Sequence, residues 1–241
     1  MFIAMSKNAF FFTLLICVFQ TPVFSQTLDK IIDNYLLARG QSKFNELQTL
    51  IVKGEHTVIN VNIKSAFKEY IKYPAKFRVD TYMFNKIHTV LYNNGKGGIL
   101  SPFSGSNVKE NFPDISIDRI QSAEKSDIQG LLYKWQNKCK QVTFEGKTTL
   151  NRTELFRIRI ITKASDTLEY YIDTKNYLLK QVVYFPGFPD PTVETYSNYR
   201  NVKGMQLPFE KFQSNHAGCF SKETISEYLI NPAIADSTFK F

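Results

Sequence analysis

The chain has 241 residues, with 30 Lys and Arg against 22 Asp and Glu, a formal net charge of +8, three histidines and three cysteines. That length allows one large domain or two small ones with a substantial core. The basic residues are dispersed rather than clustered, which argues against a nucleic-acid partner, and so few histidines and cysteines leave little material for a metal centre.

Lys7 gives a short positive start, and residues 9–19 (AFFFTLLICVF) are apolar apart from Thr13. Pro22 ends the run, and Val23 and Ser25 are the small or aliphatic residues a signal peptidase accepts. The layout predicts a secretory signal peptide over residues 1–25, cleaved before Gln26, with 26–241 as one exported domain. The run is shorter than the ~20 residues of a spanning helix; an uncleaved anchor is the alternative. No later stretch is apolar enough to cross a membrane. Cys17 lies in the signal run, and Cys139 and Cys219 are expected to be unpaired thiols.

Leu28, Ile31, Ile32, Tyr35 and Leu36 recur at helical spacing, with Thr27 placed to cap and Gly40 to terminate. A turn follows over 42–48. Strands are expected at 50–63, 65–73, 77–83 and 87–92, with Asn94-Gly95 as a hairpin turn. A second helical region is expected over 116–135, in two pieces broken near Ser126 or Gly130. Strands then recur at 141–145, 155–161, 168–172, 179–185, 193–199, 205–213 and 220–229, with turns at 173–176 and 201–204. The regular spacing predicts an α+β protein dominated by a single antiparallel meander with few helices.

Phe156, Ile158 and Ile160 share one strand face; Leu168, Tyr170 and Ile172 share the next; Val182 and Tyr184 share a third. Arg157, Arg159, Glu169 and Lys180 occupy the opposite, wet face. Such a sheet must cover its apolar side. Either it packs into a filled core or it curls around space for an apolar ligand; the alternation is compatible with both.

No catalytic constellation is visible. His56, His88 and His216 are far apart and lack metal-ligand spacing. No serine lies in a nucleophile elbow. Gly95, Gly97 and Gly98 are not followed by a helix and read as a hairpin rather than a phosphate loop. Asn151-Arg152-Thr153 is a glycosylation sequon only in a eukaryotic secretory host. No enzyme activity, cofactor or metal is expected.

Several short motifs occur in a telling order. Lys72-Tyr73-Pro74-Ala75-Lys76-Phe77-Arg78 resembles the K-x-P-x-x-F-R segment of the LolA-like outer-membrane lipoprotein-sorting proteins. Asn94-Gly95-Lys96 followed by Pro102-Phe103 resembles that family's D-G-K … P-F hairpin. Tyr171-Ile172-Asp173 before Leu178-Leu179, and Tyr199, Val202-Lys203-Gly204 and Leu207-Pro208, resemble its later segments. The resemblance spans nearly all of 26–241. It implies a curled sheet forming an incomplete barrel, with helices over its open side. It also implies a monomeric periplasmic carrier of lipoprotein acyl chains or lipid, served by a membrane-bound donor or receptor. On this reading Phe156, Ile158, Ile160, Tyr170, Ile172, Val182 and Tyr184 line the cavity. Ile117, Ile120, Ile128 and Leu131 belong to a lid, or alternatively to a fixed packing helix. Tyr73 occupies the cargo-handling position where the family's carriers have arginine. An envelope sensor or protein-interaction module built on the same half-barrel is the alternative function.

Overall fold

The structure, a computed structural model, describes residues 23–74, 76–94, 96–102, 109–111, 128–185, 191–215 and 220–240. The expectations for residues 1–22, Cys17, Gly95, Phe103, Ile117, Ile120, His216, Cys219 and the first part of the second helical region lie outside the described residues.

Helix α1 spans Val23–Ala38. It begins before Thr27, which is therefore an interior residue and not a cap. Its inward stripe is the expected one: Ile31, Ile32, Tyr35 and Leu36 are buried, while Leu37 is exposed. Gly40 ends it at φ 79° and ψ 44°, left-handed values that glycine adopts without steric cost. A 3-10 turn, Gln41–Glu46, buries Phe44 and leads into the sheet.

Thirteen strands follow among the described residues: β1 Thr49–Val58, β2 Ile63–Lys72, β3 Lys76–Met83, β4 Lys86–Asn93, β5 Lys96–Leu100, β6 Lys109–Asn111, β7 Cys139–Leu150, β8 Thr153–Thr162, β9 Thr167–Asp173, β10 Leu179–Phe185, β11 Thr192–Val202, β12 Met205–Ser214 and β13 Phe220–Ile230. They form one antiparallel sheet in the order β6-β5-β4-β3-β2-β1-β13-β12-β11-β10-β9-β8-β7. The two wings are meanders, joined where β1 pairs with β13, from Leu50 opposite Ile230 to Val58 opposite Ser221. The sheet is not closed, for β6 and β7 remain as edges.

The hairpins carry the left-handed residues that tight turns require. Asn94 (φ 48°) turns β4 into β5, Asn151 and Arg152 (φ 46° and 65°) turn β7 into β8, and Lys203 and Gly204 (φ 49° and 87°) turn β11 into β12. In the β9–β10 turn Asp173 Oδ1 accepts the Lys175 amide at 2.8 Å, an Asx turn of the kind this side chain favours.

The second helical region differs from expectation in its described part. Residues 128–134 are bends and turns, followed by a 3-10 turn at Trp135–Asn137. Gly130 at φ 67° and Lys134 at φ 52° twice reverse the chain and prevent a continuous helix. Ile128, Leu131 and Leu132 are nonetheless buried. Cys139 is buried, with Sγ 4.0 Å from the Leu131 carbonyl.

Candidate functional site

The concave side of the sheet divides into a packed half and a hollow half. Phe156, Ile158 and Ile160 of β8, Leu168, Tyr170 and Ile172 of β9, and Leu179 and Val182 of β10 join the buried face of α1 and Leu131–Tyr133 in one hydrophobic core, with Leu131, Leu168 and Leu179 at its border with the hollow half. Each fully buried aliphatic or aromatic side chain there stabilises the fold by roughly 1.5–3 kcal/mol.

The hollow half is a cavity of about 740 Å³, within the range of roughly 300–1,000 Å³ that small-molecule sites occupy. Its walls come from alternate residues of β1 (Leu50, Val52, His56), β2 (Phe67, Glu69, Ile71), β3 (Phe77, Val79, Thr81), β11 (Thr192, Glu194, Tyr196), β12 (Leu207, Lys211, Gln213) and β13 (Glu223, Tyr228). Five strands lie between β3 and β10 in the sheet, yet Val79 and Tyr184 line the same space. Only a curled sheet brings them together. A glycine in β1 permits the bend: a Cβ on Gly54 would lie 2.5 Å from the Thr224 carbonyl oxygen and 2.7 Å from the Phe67 ring, at the position where the β1–β13 register shifts.

Of the seven lining residues expected from the sequence, only Tyr184 lines this cavity. The other six are buried in the packed half. Ile128 and Leu131 do line it, at the end closed by Arg39, Leu50 and Leu179. Tyr73 packs against the core without lining the cavity. His56 stands toward the other end, with Thr81, Phe185, Thr192 and Gln213. That end of the sheet also carries the β1–β2 and β3–β4 turns, where Val61 and Phe84 are exposed, Phe84 to 70%. His88 lies in β4 opposite Thr81 and does not itself line the cavity.

Two polar groups inside the cavity escaped sequence reasoning. Lys211 on β12 sits 3.4 Å from Glu223 Oε2. Burial opposes its charge, but Glu223, Glu194, Tyr228 and Glu69 together hold the ammonium well above its usual pKa. Glu194 accepts the Tyr196 hydroxyl at 2.6 Å and the Tyr184 hydroxyl at 3.3 Å.

The second is Arg39, the last buried position of the α1 stripe and 5% exposed. Its Nη1 donates to the Tyr35 hydroxyl at 2.7 Å and its Nη2 to the Ile128 carbonyl. The guanidinium lies over the rings of Tyr35 (5.6 Å) and Phe44 (6.0 Å). Burial works against its charge, and the oxygens of Tyr35, Tyr199 and Tyr170 outweigh that effect, so the pKa is raised. The Tyr199 hydroxyl donates to the Leu179 carbonyl at 2.7 Å, and the Tyr170 hydroxyl is hydrogen-bonded to the Leu131 backbone. Burial drives the pKa of Tyr170, Tyr196, Tyr199 and Tyr228 above the ordinary range, so these hydroxyls act as neutral donors and acceptors.

Among the described residues no cluster of His, Cys, Asp and Glu is arranged to hold a metal ion, and no helix is long and apolar enough to cross a membrane. The site offers an apolar trough with a few convergent polar groups, an arrangement for binding.

No family model matches the sequence, and no curated protein matches it. Solved structures do match in shape. A DUF1329 family protein from Desulfovibrio piger aligns at TM-score 0.60 and 10% identity, over 87% of this chain and 97% of that one. A LolA superfamily protein from Nitrosomonas europaea aligns at TM-score 0.60 and 10% identity, over 91% and 98%. A domain described as an outer membrane lipoprotein-sorting protein, from Vibrio parahaemolyticus, aligns at TM-score 0.60 and 12% identity, over 88% and 95%. With its curled, unclosed antiparallel sheet and covering helix, the chain has a LolA-like fold.

Proposed function

We propose that this protein is an exported, non-catalytic lipid carrier of the lipoprotein-sorting kind, which holds acyl chains in the cavity between its wings. The observation that supports the reading is the cavity itself: about 740 Å³ of space left inside a sheet whose other half is tightly packed. Leu50, Val52, Phe67, Ile71, Phe77, Val79 and Leu207 provide its apolar wall. Each buried CH₂ contributes about 0.8 kcal/mol, so a long chain is retained without ATP or a covalent step. The LolA-like fold and the lipoprotein-sorting description of the Vibrio parahaemolyticus neighbour agree with it.

In this reading residues 1–25 direct export and are removed, 26–241 act as one monomeric unit in the periplasm, and a membrane-bound donor and receptor load and unload it. Ile128 and Leu131, which close the deep end, belong to the segment that moves when cargo enters.

The test is native mass spectrometry of protein purified from its own envelope, with displacement of a fluorescent fatty acid in vitro. Co-purifying lipid or lipopeptide, and displacement blocked by Val79→Trp in a folded variant, are expected. Protein free of lipid that displaces nothing would sink the carrier reading. If it instead holds a stable protein partner, the fold serves as an interaction module.

A further inference from the structure

An acyl chain makes no use of Arg39. A guanidinium has five N–H donors; here two have described acceptors, and the buried Nε has no hydrogen-bond partner among the described residues. No carboxylate among the described residues pairs with it; its electrostatic partners are tyrosines. Burying a charge without a counter-charge is costly. The cost is understandable where the charge faces a binding space, because an arriving anion supplies the missing partner. Arg39 does face one: it lines the deep end of the cavity with Leu50, Leu131 and Leu179.

We propose that Arg39 binds the anionic headgroup of a single-chain amphiphile, a long-chain carboxylate or an alkyl phosphate, with the chain running along the apolar wall toward His56. Leu50 to His56 is six residue steps along β1, about 20 Å of trough, which suits a long chain rather than a short one. The carboxylates of Glu69, Glu194 and Glu223 gather about Lys211 farther along the wall. They repel an anion placed beside them and leave Arg39 as the favourable depth for the headgroup. The inference rests on the carrier reading, since it names the class of lipid that the same cavity takes.

Titration calorimetry on the full protein tests it with four probes: hexadecanoate, its methyl ester, hexadecyl phosphate and inorganic phosphate. Charge-assisted hydrogen bonds predict that the anionic amphiphiles bind about ten- to a hundredfold more tightly than the ester. Arg39→Met removes that preference, so that acid and ester bind alike; Arg39→Lys keeps part of it. A preference for hexadecanoate identifies a fatty acid as the ligand, and one for hexadecyl phosphate identifies a phospholipid headgroup. Equal affinity of wild type for acid and ester overturns the proposal while leaving the carrier reading intact. Binding of no amphiphile overturns both, and binding of inorganic phosphate without any gain from the chain overturns the proposal. Should Arg39→Met not fold, hexadecanoate labelled with ¹³C at its carboxyl decides on the wild-type protein. The bound carboxyl must stay ionised at pH values where the free acid is protonated, and an unshifted titration rejects the contact.

Discussion

A Cβ placed on Gly40 would sit 2.1 Å from the carbonyl oxygen of Gly204. The end of α1 thus lies directly on the β11–β12 turn, and the Gln206 amide donates to the Arg39 carbonyl at 3.3 Å across the same contact. This seats Arg39 over the cavity. Gly40→Ala meets both a left-handed φ and a backbone clash, and a loss of about 3 kcal/mol or more in urea unfolding is expected. Gly204→Ala has the left-handed φ of 87° but only Lys43 Cγ at 3.5 Å, so about 1–2 kcal/mol is expected. Equal losses would refute the close approach.

Ile158 is fully buried in the packed half, and Val79 lines the hollow half. Ile158→Ala is expected to cost about 2–5 kcal/mol of stability and to leave lipid displacement unchanged at temperatures where the variant is folded. Altered lipid affinity in folded Ile158→Ala would place the binding space under α1 instead.

Lys211→Met leaves Glu194 and Glu223 in the cavity wall without their ammonium. Lys211 is about one-third exposed, with a side-chain value of 31%, so a loss of about 2 kcal/mol is expected, between that of an exposed and a buried pair. The folded-state pKa of Lys211 lies above its ordinary 10.5. Its contribution is therefore fully present below that value and is lost only as pH rises through the folded one. The deficit of the variant is expected to be constant from neutral pH up to the ordinary lysine value and to shrink only above it. Urea midpoints from pH 7 into the alkaline range would check this.

Asp236 accepts from Lys72 at 2.9 Å and Lys76 at 2.8 Å, tying the C-terminal 3-10 turn, Asp236–Phe239, across β2 and β3. These contacts lower its pKa from 3.8 to about 2. A depressed carboxyl pKa contributes stability above the unfolded value and loses it as pH falls through the folded one. Asp236→Asn should therefore be less stable than wild type at pH 7, with most of the difference gone near pH 2 and the whole of it reduced by salt. A difference undiminished at pH 2 would assign the effect to packing of Phe239.

The strands were legible because their period-two alternation is a local property, and the antiparallel meander followed from their spacing; its open, curled form was implied only by the LolA-like resemblance. The inward face of β8, β9 and β10 was also legible: Phe156, Ile158, Ile160, Tyr170, Ile172 and Val182 do point into the concave side. Alternation reports inward direction, however, and not what lies there. Whether such a residue meets a helix or empty space depends on which wing α1 covers, a long-range outcome that no window of sequence contains. Arg39 had a usable signal, since it continues the stripe of Ile32, Tyr35 and Leu36 at helical spacing. A charged residue in line with buried ones is a candidate for function. The region 128–135 read as helical because its apolar spacing is helical, whereas Gly130 and Lys134 adopt left-handed conformations that the pattern does not register.

The seam between β1 and β13 joins segments about as distant as the described chain allows, from Leu50 with Ile230 to Val58 with Ser221. Non-local pairing of this kind slows folding, because the loop must close before its contacts reward it. Until β13 is available the two wings are separate meanders with no shared cavity. A chain that folds from its N-terminus therefore acquires its binding space last, when β13 arrives. Truncation before Phe220 is expected to abolish binding while leaving strand content in both wings.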